Sequence, residues 1–90
     1  LSNPQITIDS ENIIYVVFES QRSDYTDISV VIRGPIGWSD PFFLTSDLYN
    51  SVDPVIAIDD QDNVHIAWAD YRKVTPEIFY IVRKSATGQW

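Results

Sequence analysis

The chain writes one pattern twice. Displaced by 50 positions (54 − 4), Pro4 falls on Pro54, Ile6 on Ile56, Ile8 on Ile58 and Asp9 on Asp59. The register continues without a gap, with Arg22 on Arg72, Ile28 on Ile78 and Arg33 on Arg83. Conservative pairs fill the interval: Ile14 with Val64, Val16 with Ile66, Phe18 with Trp68, Asp27 with Glu77. Beyond Arg83 the second copy carries two extra residues, which brings Trp38 onto Trp90. A repeat of fixed period implies one supersecondary unit used repeatedly and stacked on its neighbours. A unit of about 50 residues with strand signals and no helical period matches a small antiparallel sheet.

Residues 4–9 alternate apolar and polar, the mark of a half-buried strand. Ser10, Glu11 and Asn12 form a tight turn, asparagine tolerating the positive φ that glycine would otherwise supply. Residues 13–18 (IIYVVF) are β-branched or aromatic throughout, predicting a strand covered on both faces. A polar loop is expected over 19–27, a strand over 28–33, and a turn at Gly34-Pro35-Ile36-Gly37. Pro41 demotes residues 38–45 to an edge strand, and residues 46–53 read as a long connection. The second copy repeats the scheme, with strands at 55–59, 64–69 and 77–83, a turn at 60–63, a loop at 70–76 and a turn at 85–89.

Short turns imply antiparallel neighbours, yet antiparallel sheets usually keep one face wet, and IIYVVF and IFYIV have no wet face. Small sheets stacked face to face resolve the conflict, as in the β-propeller. The expected fold is therefore all-β: two four-stranded antiparallel propeller blades, residues 1–50 and 51–90, the second lacking its outer strand, together part of one propeller domain.

A net charge of −7 argues against a phosphate-binding surface, and so against nucleic acid and anionic membranes. The longest apolar run, residues 13–18, falls far short of the ~20 residues of a spanning helix. Without cysteine, disulfides and thiolate metal sites are excluded. The chain contains no Met, and it stops at Trp90 where the first copy runs on into SDPFFLT. The expectation is a piece of a longer chain, or a chain completed by copies of itself, because two blades cannot close a ring of ~4–8.

The pattern P-x-I-A-x-D-x-x-x-N-V-H-I-x-W-x-D-x-R…E-I-x-Y, with G-x-W and P-x-x-L-T, resembles blades of the sialidase-like propeller superfamily. The likeness spans nearly the whole chain. An Asp box would read S-x-D-x-G-x-x-W; Ser85, Gly88 and Trp90 keep three of its residues in a shorter segment with Thr87 in place of the Asp, and Gly37-Trp38 keeps two. The resemblance implies a propeller fold, an extracellular or cell-surface location, and glycans as ligands. Sialidase chemistry would need an arginine triad, a Tyr–Glu pair and an acid/base Asp, a set that two blades do not hold.

The propeller numbering puts the loops at 19–27, 46–53 and 70–76 on one ligand-binding face. There Arg22, Tyr25, Asp70, Tyr71 and Arg72 form a candidate sugar or carboxylate clamp, since arginine presents a rigid fork and tyrosine an apolar face with a hydroxyl. The competing reading is that Asp70 and Arg72 pair within their own loop, and recurrence of the arginine in both copies favours it. Asp24, Asp27, Asp70 and Glu77 are the carboxyls available for glycosidic work. Residues 59–63 (DDQDN) suggest calcium ligands but lack the central Gly and distant Glu of such a loop, so a hairpin turn is the better account. His65 reads as a packed, hydrogen-bonded imidazole. Trp38, Trp68 and Trp90 read as packing anchors, with sugar stacking an option for Trp38 or Trp90, both near a surface turn.

No catalytic residue, metal site or cofactor is assigned from the sequence. The expected function is a non-catalytic binding or scaffold module, with a sialidase-like hydrolase fragment and a purely structural assembly protein as alternatives. Its expected partners are other blades and glycans.

Overall fold

The computed structural model describes residues 2–45 and 49–90; Leu1 and residues 46–48 of the expected 46–53 connection lie outside the described residues. Eight strands and no helix are present among them: β1 (Ser2–Ile8), β2 (Ile14–Arg22), β3 (Tyr25–Gly34), β4 (Gly37–Trp38), β5 (Phe42–Phe43), β6 (Ser51–Ile58), β7 (Val64–Asp70) and β8 (Glu77–Arg83). They form two antiparallel sheets, one of five strands ordered β1-β2-β3-β4 with β5 also on β3, the other ordered β6-β7-β8.

The copying extends to backbone detail. Both first strands carry a bulge, between Ser2 and Gln5 and between Val52 and Val55, with Asn3 (φ 49°) and Asp53 (φ 55°) in the left-handed region. Both turns end on a left-handed residue, Asn12 (φ 67°) and Asp62 (φ 63°). Asn12 N donates to Asp9 O at 3.2 Å, and Asp62 N to Asp59 O at 3.1 Å. Such a three-residue hairpin loop suits Asn and Asp, whose short polar side chains tolerate positive φ. The Asp9 Oδ1 accepts from the N–H of Glu11 and Ile13, and Asp59 Oδ1 from Gln61 and Asn63, all at 2.9 Å.

The copies part company where residues 19–27 were expected to loop. That stretch instead prolongs the β2–β3 ladder, Glu19 facing Ile28, Gln21 facing Thr26 and Arg22 facing Tyr25, leaving only Ser23 and Asp24 to turn. Polar cross-strand pairs hold it, including Ser20 with Ser29 at 2.7 Å and Arg22 with Asp27 at 2.6 Å. In the second copy the ladder ends at Asp70 and Glu77. Pro76 stands where Thr26 stands in the first, and proline has no N–H to donate. The expected edge strand over 38–45 is likewise interrupted at Pro41, giving β4 and β5, both on β3.

The sheets stack through unlike faces. The second sheet presents Val64, Ile66 and Trp68, with Ile56, Ile58, Phe79 and Ile81 beside them. The first sheet presents Tyr15, Val17 and Ile28, joined by Ile13, Ile32 and Leu44. Strand alternation makes these opposite sides: Val64, Ile66 and Trp68 correspond to Ile14, Val16 and Phe18, which point away from the joint. Only one face of each sheet is therefore covered by this chain, and the expected two-sided cover of its apolar strands is half present. Trp68 is buried and Trp90 meets the ring of Phe42 edge-on at 6.1 Å, whereas Trp38, expected as an anchor, is 55% exposed.

Ile66 is fully buried in the joint, and Ile36 at the β3–β4 turn is fully exposed. Ile66→Ala should lower unfolding free energy by about 2–5 kcal/mol in urea melts, while Ile36→Ala should stay within about 0.5 kcal/mol of the parent.

Candidate functional site

The candidate residues divide between two ends of the molecule. Arg22 and Tyr25 are cross-strand partners at the tip of the β2–β3 hairpin, and Asp70, Tyr71 and Arg72 close β7. Asn50 links the two groups: its side-chain oxygen accepts from Thr26 N and its carbonyl from Tyr71 N, both at 2.9 Å. Trp38 does not join them. It faces Arg33, which pairs with Ile14 at the other end of the ladder. Eight residues of strand, about 27 Å, separate that end from Arg22.

Both arginines are engaged by buried carboxylates. Arg22 Nε donates to Asp27 Oδ2 at 2.6 Å, and the Thr45 hydroxyl donates to Asp27 Oδ1 at 2.9 Å. Arg72 donates to Asp70 Oδ1 through Nε at 2.7 Å and through its own backbone N–H at 3.0 Å. The Arg72 guanidinium also lies 4.6 Å from the Phe79 ring centroid and 5.2 Å from that of Tyr49. Hydrogen bonds from Arg72 hold the Asp70 carboxyl below its ordinary range, against the opposing effect of burial. The equivalent arginines thus pair with non-equivalent acids, Asp27 on β3 and Asp70 on β7. An arginine so held shapes its loop and presents less of its fork outward.

A second polar cluster bridges the sheets. Glu19 accepts from Ser2 Oγ at 3.1 Å, from Asn3 Nδ2 at 2.8 Å and from Asp53 N at 2.7 Å. Burial pushes its carboxyl up, but these three hydrogen bonds outweigh it and leave the group lowered. At the turn end, Asp62 accepts from both the N–H (3.0 Å) and the hydroxyl of Ser10. Arg83 donates to the Tyr15 hydroxyl at 3.1 Å. Burial raises the Tyr15 phenol, Arg83 opposes the rise, and Asp9 adds to it.

His65 lies between Asp59 and Tyr80, its Nε2 2.8 Å from Asp59 Oδ2 and its Nδ1 against the Tyr80 hydroxyl, with the two rings stacked. Both ring nitrogens thus have a hydrogen-bonding partner. The His65 contact, followed by the Asn63 N–H, holds Asp59 far below the usual carboxylate range. The Asp59 oxygens are thereby committed to turn and histidine. No group of three or more potential metal ligands occurs among the described residues.

A hollow of about 430 Å³ opens on the outer face of the first sheet, lined by Pro4, Val16, Phe18, Val31, Trp38 and Pro41. Two smaller ones open on the outer face of the second, about 220 Å³ beside His65 and Tyr80 and about 350 Å³ beside Val55, Ala67 and Ile78. Trp38, read from the sequence as an option for sugar stacking, lines the first of these hollows. The sequence reading placed no ligand-binding residue on the outer face of the second sheet, although period-2 alternation in strands apolar on both sides is the signal that marks it. Comparison with protein-family models, curated proteins and solved structures finds no match to the chain.

Asp70 and Glu19 have lowered native carboxyls, so the unfolded chain binds more protons in acid and stability rises with pH. Their contribution is present above the ordinary carboxylate value near ~4 and is lost as pH falls through the lowered native values. Urea melts across this range should show declining stability. Asp70→Asn should be less stable at neutral pH and decline less steeply, and an unchanged slope would remove Asp70 from the account.

Proposed function

We propose that the chain is a non-catalytic scaffold module of β-propeller type, a two-sheet unit whose task is to stack against further sheets. One observation carries this reading: the internal joint sets one face of a repeat on the opposite face of the other, leaving two unlike apolar faces open. Ile6 is 67% exposed on one of them, and Ile78 and Tyr80 are 76% and 60% exposed on the other. Apolar groups gathered this way on an exposed sheet face mark surfaces meant to be covered.

The chemistry of the hollows favours an apolar occupant over a sugar. A glycan needs hydrogen-bond partners as well as a ring to stack on, and the lining around Trp38 is proline, valine, phenylalanine and tryptophan. The loop end argues against hydrolysis. Asp27 and Asp70 are buried and bound to arginine, whereas a glycosidase holds two carboxyls free on either side of one bond.

In submicromolar solution the chain should enhance the fluorescence of 1-anilinonaphthalene-8-sulfonate. Ile6→Asp and Ile78→Asp should each remove part of the signal, and both together most of it. Failure of the parent chain to bind the dye, or turnover of an aryl glycoside by it, would overturn the reading.

A further inference from the structure

The internal joint is a template that can be continued, because each of its halves has a counterpart left open at an end of the chain. The buried half contributed by the second sheet is built on Ile56, Ile66 and Trp90. Its counterpart is the exposed face with Ile6, Val16 and Trp38. The half contributed by the first sheet has Val17, Ile28 and Val30, all fully buried. Its counterpart is the open face with Ala67, Ile78 and Tyr80. Val17 pairs across strands with Val30, and Ala67 with Tyr80, so a smaller residue is matched by a larger neighbour and the apolar face is kept.

We propose that the open face of the second sheet receives the open face of the first sheet of a second copy of this chain, head to tail and in the register of the internal joint. The inference rests on the scaffold reading and names its partner. The turn residues support it through their chemistry. In the internal joint the carboxylate of Asp62 accepts from the N–H and hydroxyl of Ser10. Between copies the corresponding residues are Asn12 and Asp60. Two carboxylates there would repel, but the Asn12 amide can accept from the Asp60 N–H and donate to its carboxylate. Donor and acceptor have changed sides together, and the pair stays complementary. Arg83 reaches Tyr15 within the chain; between copies the exposed Arg33 would face His65, which stands at the position of Tyr15 and whose two ring nitrogens already meet Asp59 and Tyr80, so this tie is not reproduced. A second tie is lost as well, since Ala69 stands where Glu19 accepts from Asp53 N, so the joint between copies is weaker than the internal one.

Such a joint is heterologous. Repeated, it closes a ring or runs on as a filament, and it cannot stop at a symmetric pair.

Sedimentation of the full chain over a micromolar concentration series should show mass rising above the 10.3 kDa of one copy. Ile6→Asp blocks one face and Ile78→Asp the other; both side chains are exposed, and circular dichroism checks that each variant keeps its strands. Each variant alone should associate at least about tenfold more weakly than the parent. Mixed in equal amounts they should form a one-to-one pair and nothing larger, since together they hold one intact joint. A parent chain that stays monomeric, variants that self-associate as the parent does, or a mixture that forms no pair would overturn the proposal. If the dilute chain still binds the apolar dye, the scaffold reading survives that outcome with a different sheet as occupant; if dye binding fails too, both fall.

Discussion

Everything in the molecule follows from the stacking of two sheets through opposite faces. A single sheet has no enclosed interior and must bury its apolar face against another layer. Setting Val64, Ile66 and Trp68 on Tyr15, Val17 and Ile28 supplies the missing interior. Because the two halves of that contact come from different sides of one repeated unit, the contact satisfies each repeat only once. The same geometry that makes the core leaves both ends of the stack apolar.

Polar groups steer the stacking without providing its bulk. Glu19, fixed by its own strand neighbours, reaches across to the bulge at Asp53, and Asp62 reaches back to the turn at Ser10. These ties lie toward opposite ends of the joint, so they set the angle between the sheets as well as their separation. The arginines have the complementary duty of closing strand ends over buried carboxylates. Arg72 lies among Asp70, Tyr49 and Phe79, a set of contacts that locks a loop.

Several features were legible before any coordinates. The offset of 50 foretold equivalent turns, and these share φ angles, bonding pattern and capping aspartate. Proline at position 41 foretold an edge strand over residues 38–45, where the structure has two short strands, β4 and β5. The polar composition of residues 19–27 misled, because a run of serine, arginine and aspartate reads as loop when each residue is taken alone. Their cross-strand partners turn it into ladder: Ser20 finds Ser29 and Arg22 finds Asp27. Pairing is non-local, and a reading along the chain does not see it. Position 76 carried the clue to the asymmetry, since Pro76 ends in the second copy what Thr26 allows in the first.

The sequence by itself determined an all-β chain made of two like units, with strands apolar on both sides and a tight turn at the same place in each. Local propensity and period-2 alternation are properties of neighbouring residues, and the order of residues is enough to express them. Only the tertiary structure decided which side of each sheet is buried, that the two sides meet unlike to unlike, and that Trp38 is left exposed while its counterpart Trp90 is half-buried. Those outcomes depend on which surface another sheet covers, a choice made between segments about 50 residues apart and written in no single one of them.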